Sequence, residues 1–246
     1  MTTLTPQSTV GDLVRAQPNR ARVFERLKID YCCGGKLPLA DACAKVGVDL
    51  DDVLQQIQQA DATADPSGAD LIDADTMTLT DLADHIEQTH HAYLRDELPR
   101  LDFMTDKVFK VHGEHEPRLG DVRRAFVALR DELTAHMMKE EQIFFPMIRQ
   151  LDARVGPTPF HCGSVANPIG QMELEHERAG DALAIMRRET DDYQPPDWAC
   201  NTYRAMLDSL ARLERDMHQH VHKENNILFP KAIERESRLA AGASVA

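Results

Sequence analysis

Aromatics and net positive charge are scarce in this 246-residue chain, and glycine and proline are modest. Aromatic residues make up 5%, with one Trp, and there are 12 Gly and 13 Pro. That profile, beside plentiful Ala, Leu, Asp, Glu, Arg and Met, points to an all-α protein. The net charge is −13, and Lys and Arg are scattered rather than clustered. That argues against nucleic acid or an anionic membrane surface as the partner. No stretch approaches the ~18 consecutive apolar residues of a membrane-spanning helix. The polar start Met-Thr-Thr-Leu-Thr-Pro-Gln-Ser-Thr has no signal-peptide core. A cytoplasmic location is expected. Five cysteines, an odd number spread over a mid-sized acidic chain, do not make a secreted disulfide framework and are expected as reduced thiols.

What is present is a repeat. His136-Met-Met-Lys-Glu140-Glu-Gln-Ile-Phe-Phe-Pro146 returns as His220-Val-His-Lys-Glu224-Asn-Asn-Ile-Leu-Phe-Pro230 at an offset of 84. Each copy ends a heptad run. Val122, Phe126, Leu129 and Leu133 lead into His136, Glu140, Ile143 and Met147; Met206, Leu210, Leu213 and Met217 lead into His220, Glu224 and Ile227. Imidazole and carboxylate occupy positions where the pattern calls for an apolar residue, on one helical face. A buried, unneutralised carboxylate costs several kcal/mol. A metal would offset that cost, whereas a hydrogen-bonded His/Glu core pair is the plainer alternative for a single HxxxE. Two copies in register favour the metal.

The length suits one medium domain plus a small one. Residues 1–60 read as a compact helical module, with Thr9 capping a first helix and Pro18 opening a second. Cys32-Cys33-Gly34-Gly35 follows as a tight turn. Adjacent cysteines pair only through a strained ring, so Cys32 and Cys33 read as a dithiol for iron, a partner disulfide or an oxidant. Cys43 is expected in the core. Residues 61–76 read as a linker, and 77–240 as an antiparallel four-helix bundle. Its helices run from about Leu79 past Leu101, with a kink or break at Pro99, then over about Pro117–Leu151, Ile169–Glu189 and Pro196–Arg235.

On the third bundle helix, His176 sits in the stripe Ile169, Met172, Ala179, Leu183, Met186. On the first, helical angle favours His90. The duplication favours His91, because His91, Leu94, Leu98 and Leu101 superpose on His176, Ala179, Leu183 and Met186 at an offset of 85. His91 is taken, with His90 in reserve. Four imidazoles and two carboxylates suit a pair of first-row metals, carboxylate-bridged di-iron above all. Oxo or hydroxo bridges would balance the ferric charge. Glu132 and Glu175, beside the seam, are candidate outer or bridging carboxylates. His85, His112, His115, His161, His218 and His222 are expected on exposed faces or loops, His222 being within one turn of both His220 and Glu224.

Asp30-Tyr-Cys-Cys-Gly-Gly-Lys36, His136 with Glu140, Glu175-His176-Glu177 and His220-x-x-x-Glu224-Asn-Asn together resemble the RIC family, of the YtfE/ScdA type. These are iron–sulfur cluster repair di-iron proteins with an ScdA_N domain followed by a hemerythrin-like domain. The resemblance covers almost the whole chain. It implies two non-haem irons held by His91, His136, Glu140, His176, His220 and Glu224, carboxylate contributions from Glu132 and Glu175, and a thiol or iron-transfer role for Cys32 and Cys33. It also implies repair of clusters damaged by nitric oxide or oxidants, with iron supplied from the centre, and binding of nitric oxide. The expected partners are damaged iron–sulfur proteins, nitric oxide and an electron donor, with homodimerisation left open. The alternatives are nitric oxide reduction to nitrous oxide, with Glu132 and Glu175 handling protons, and an oxygen or nitric oxide sensor. A single seam histidine on the third helix, where oxygen-carrying hemerythrins use two, weakens the oxygen-carrier reading.

Overall fold

The computed structural model describes residues 4–62, 73–153 and 160–243, and among them regular structure is helical, with only two isolated β-bridges. The described chain divides into two compact units. One comprises Met1–Ala83, Ile148–Ala166 and His218–Ala246; the other comprises Asp84–Met147 and Asn167–Met217. These units cut across the sequence boundaries at 60 and 77. Of the linker 61–76, residues 63–72 lie outside the described residues, and Ala74–Thr76 forms a 3-10 turn capped by Asp73.

The first unit begins with helices α1 (Val10–Ala16), α2 (Ala21–Leu27), α3 (Leu39–Val46) and α4 (Leu50–Ala62). Thr9 caps α1 as expected, its hydroxyl accepting from the Asp12 amide. Pro18 opens a 3-10 turn rather than α2 itself. Leu13, Phe24, Tyr31, Leu39 and Ile57 are all but sealed from solvent in one core, and Cys43 joins them. The unit also holds the start of α5 (Leu79–Ile86), α8 (Phe145–Asp152) from Ile148, and α11 (Phe229–Ala243). Lys231 on α11 donates to the Asp75 and Met77 carbonyls, and Asp75 accepts from Arg15 on α1. Those bonds fix the chain's entry into α5.

The second unit is built on α6 (Ala92–His112), α7 (Leu119–Lys139), α9 (Ala166–Glu189) and α10 (Asn201–Lys223), the last as far as Met217. Ion pairs tie neighbours in opposite sense. Asp102 on α6 binds Arg123 and Arg130 on α7, while His91, before α6, meets Glu141, after α7. Likewise Arg118 meets Asp191 and His136 meets Glu175. Pro99 neither ends nor interrupts α6. The break in the first long helix lies upstream, where Glu87–His91 forms a π-turn.

Two further π-turns, Glu140–Phe144 and Glu224–Leu228, follow the two HxxxE copies. Each π-turn inserts one residue into the α-helical ladder, a device that recurs at functional sites. The insertion corrects one expectation: Ile143 is not on the seam but 49% exposed, and Phe144 takes the buried position. In the second copy Ile227 and Leu228 are both buried.

Candidate metal centre

In the second unit the site starts from three helices that place four buried side chains together: His91 ahead of α6, His136 and Glu140 at the end of α7, and His176 on α9. Glu140 Oε2 lies 3.2 Å from His91 Nε2 and 3.3 Å from His136 Nε2, and His176 Nε2 lies 3.2 Å from His136 Nε2. On the far side of each ring a second carboxylate waits. His91 Nδ1 is 2.7 Å from Glu141, and His136 Nδ1 is 2.8 Å from Glu175. Arg95 braces Glu141, while Lys139 and Gln171 brace Glu175.

These outer partners decide the tautomer. Nδ1–H donates to the carboxylate, which leaves the Nε2 lone pair facing Glu140. A bare nitrogen and a carboxylate oxygen held at such distances need a proton or a cation between them. Two donors each about 2.1 Å from one ion, at a right angle, are about 3.0 Å apart. The separations match, and the donor set suits a first-row cation. The His136 hydrogen bond, aided by Lys139 and Gln171, holds Glu175 well below the usual carboxylate range. Glu175 thus stays anionic and serves the outer nitrogen of His136. It is not placed as a bridge.

The two histidines that competed are set apart at the π-turn. His90 and His91 are both buried, and His90 Nδ1 is 2.8 Å from Asp216 on α10. A regular helix would carry His90 to the seam; the extra residue in Glu87–His91 turns His91 there instead.

In the first unit, the second HxxxE copy repeats the pattern. His220 Nε2 lies 2.9 Å from Glu224 Oε1, and both residues are buried. Glu224 opens its π-turn as Glu140 does. All six predicted ligands belong to buried His/Glu groups whose make-up could hold a metal ion. Glu132 is exposed on α7, one position off the Leu129–Leu133–His136 seam, and the structure gives it no place beside the four histidines and glutamates of its unit.

The same turn carries a feature the spacing did not show. His222 is buried rather than exposed, its ring edge-on to Tyr31 with centroids 5.4 Å apart and its Nδ1 3.4 Å from the Tyr31 carbonyl. Asn226 Nδ2 donates to the carbonyls of Tyr31 and Cys32, at 3.2 and 3.1 Å. The second glycine of Cys-Cys-Gly-Gly is required here, because a Cβ on Gly35 would collide with the Asn226 side chain. The turn with the two thiols is thereby fastened to the turn with Glu224. Cys32 is buried and Cys33 half-buried, and no disulfide joins them. The signals available in sequence were the paired Asn225-Asn226 after Glu224 and the double glycine, but neither names its partner.

Fold and site define a class: an all-α protein whose antiparallel four-helix bundle, preceded by a small helical part, carries buried histidines and glutamates suited to iron. The hemerythrin HHE cation binding domain matches residues 82–232, and ScdA_N, a domain of unknown function, matches residues 6–61. The chain belongs to the hemerythrin HHE family, within the branch that pairs this bundle with ScdA_N. It is similar to the iron–sulfur cluster repair protein YtfE of Salmonella schwarzengrund (strain CVM19633), 35% identical over 227 residues, or 92% of this chain and 97% of the relative. YtfE of Salmonella newport (strain SL254) and of Salmonella gallinarum (strain 287/91 / NCTC 13346) matches to the same extent.

Proposed function

We propose that this chain repairs iron–sulfur clusters damaged by nitric oxide or oxidants, using two irons held by His91, His136, Glu140, His176, His220 and Glu224. The observation that carries the reading is the tautomer lock. Glu141 and Glu175 hold the outer nitrogens of His91 and His136, so that both inner nitrogens face Glu140. The 35% identity to proteins named for repair supports the biological role.

When bound, the iron pair supplies exchangeable Fe2+ and open positions for nitric oxide. The chain's own residues do the rest. Glu140 and Glu224, fully buried, provide the anionic charge that retains cations in an apolar interior. Glu175, kept ionised, fixes the His136 ring and stabilises charge on it. Cys32 and Cys33 receive or pass iron at a turn fastened to the Glu224 helix by Asn226. The partners on this reading are damaged iron–sulfur proteins, nitric oxide and an electron donor, in the cytoplasm. Among the described residues no helix is long and apolar enough to cross a membrane.

The deciding measurement is iron per purified chain with the near-ultraviolet spectrum, for wild type and His136→Ala. Two irons with bridged-iron charge-transfer bands, lost in the variant, are expected. No iron after anaerobic reconstitution of a folded chain would mean that the seam residues form a core network, and the reading would fall.

A further inference from the structure

The Cys-Cys-Gly-Gly turn is organised by a residue that the reading above does not use. Asp30 Oδ1 accepts the amides of Cys32 and Cys33, both at 3.0 Å, and Oδ2 accepts the Gly34 amide at 2.9 Å. Gly34 is needed for this, since a Cβ there would stand 2.8 Å from the Asp30 carbonyl oxygen. With its carboxylate nested in three amides, Asp30 gathers both thiols. Cys32 Sγ lies 3.2 Å from Asp30 Oδ1 and 4.0 Å from Cys33 Sγ. One carboxylate oxygen and both sulfurs fall within 4.8 Å of one another.

The two sulfurs are 4.0 Å apart, in contact but unbonded. Two thiolates each about 2.3 Å from one tetrahedral ion are about 3.8 Å apart. The observed separation is close to that span, so the two sulfurs stand as a chelating pair would. Two soft sulfurs and one oxygen exclude Ca2+ and Mg2+, which take oxygen ligands, and suit a divalent first-row ion. Because Cys33 is only half-buried, the ion has a route in and an open fourth position.

We propose that Asp30, Cys32 and Cys33 form a second cation site, taking one divalent first-row metal ion as a bis-thiolate carboxylate complex. The assignment of Fe2+ as its physiological ion rests on the repair reading; the site itself does not. Binding is an exchange without electron transfer: one divalent ion displaces the two thiol protons, which leave to solvent. The hydrogen bond with Cys33 and then burial push Cys32 well above the usual thiol range.

The test uses the full-length, iron-loaded chain titrated with Co2+, read by thiolate-to-cobalt charge transfer. One Co2+ per chain is expected. Asp30→Asn should weaken it at least tenfold, Cys33→Ser should abolish the band, and His136→Ala, which strips the bundle, should leave it intact. A missing thiolate band, a midpoint that moves with protein concentration because two chains share the ion, or unchanged binding by Asp30→Asn would each overturn the site. Should Asp30→Asn fail to fold, the cadmium-113 shift of the Cd2+-loaded wild type decides: a mixed sulfur–oxygen value supports the site, and an all-sulfur value overturns it. Cobalt bound as described, with no iron passed to a cluster-depleted client, would leave the site standing and sink the repair reading. Transfer that survives Cys33→Ser would leave the repair reading standing and overturn Fe2+ as the ion this site carries.

Discussion

His90 and His91 are consecutive and both buried, yet they turn Nδ1 to different carboxylates, Asp216 at 2.8 Å and Glu141 at 2.7 Å. The pair separates architecture from chemistry. His91→Ala is expected to cost the centre its iron. His90→Ala is expected to keep the iron and to lose about 1–3 kcal/mol of stability, the cost of breaking a buried, charge-assisted hydrogen bond. Iron content and urea unfolding, run on both variants, check the assignment; the opposite pattern would exchange the two roles.

Glu141→Gln and Glu175→Gln each remove an outer partner while preserving shape. Iron affinity is expected to fall about 10- to 100-fold, with helicity unchanged. Glu132→Gln, at an exposed position, is expected to leave affinity where it was. Competition against a chelator ranks the three.

The duplicated isoleucines should behave differently. Ile143→Ala, on the exposed side of its π-turn, is expected to change stability by no more than about 0.5 kcal/mol. Ile227→Ala, 3% exposed, is expected to cost about 2–5 kcal/mol. Equal costs in urea titrations would show that the two turns pack alike.

Burial pushes the His222 imidazole down to about 4. The unfolded chain, with its ordinary value of 6.5, therefore binds a proton that the folded chain refuses. Stability from this group is fully present above pH 6.5 and is lost as pH falls towards 4, by about 3 kcal/mol in all. A cation near Glu224 would push the same way. Unfolding midpoints at pH 7 and at acid pH should converge for His222→Gln and diverge for wild type; parallel losses would refute the account.

Gly35→Ala is expected to destabilise the first unit by about 1–3 kcal/mol, because its new methyl meets the Asn226 side chain. Adding Asn226→Ala should recover part of that loss. A double variant no better than the sum of the singles would separate the two residues energetically.

Much of this was legible because polar residues interrupted an apolar seam twice at one offset. His136, Glu140, His220 and Glu224 stood out on period alone, and His176 followed from its stripe. Period misled where a helix gained a residue: it favoured His90 over His91 and put Ile143 inside. Comparing copies pointed to His91, the one that meets Glu140, because the duplication carries position even where the angle slips. Glu141, Asp216 and Asn226 were illegible for another reason. Each acts on a residue from a distant part of the chain, and an exposed-looking acid or amide carries no mark of the group it will meet. Glu175 had such a mark, its place beside the apolar seam, and Glu132 shared it without sharing the contact.

The fit of Gly35 and Gly11 against Asn226 also bears on how such proteins can be recombined. A chimera joined between the two family segments would cut within residues 62–81. The harder junction is elsewhere. A donor thiol module lacking either glycine, or a recipient bundle with a bulkier side chain in place of Asn226, would be rejected at that contact however well the graft was spliced. The asparagine thus sets which thiol module this bundle can accept.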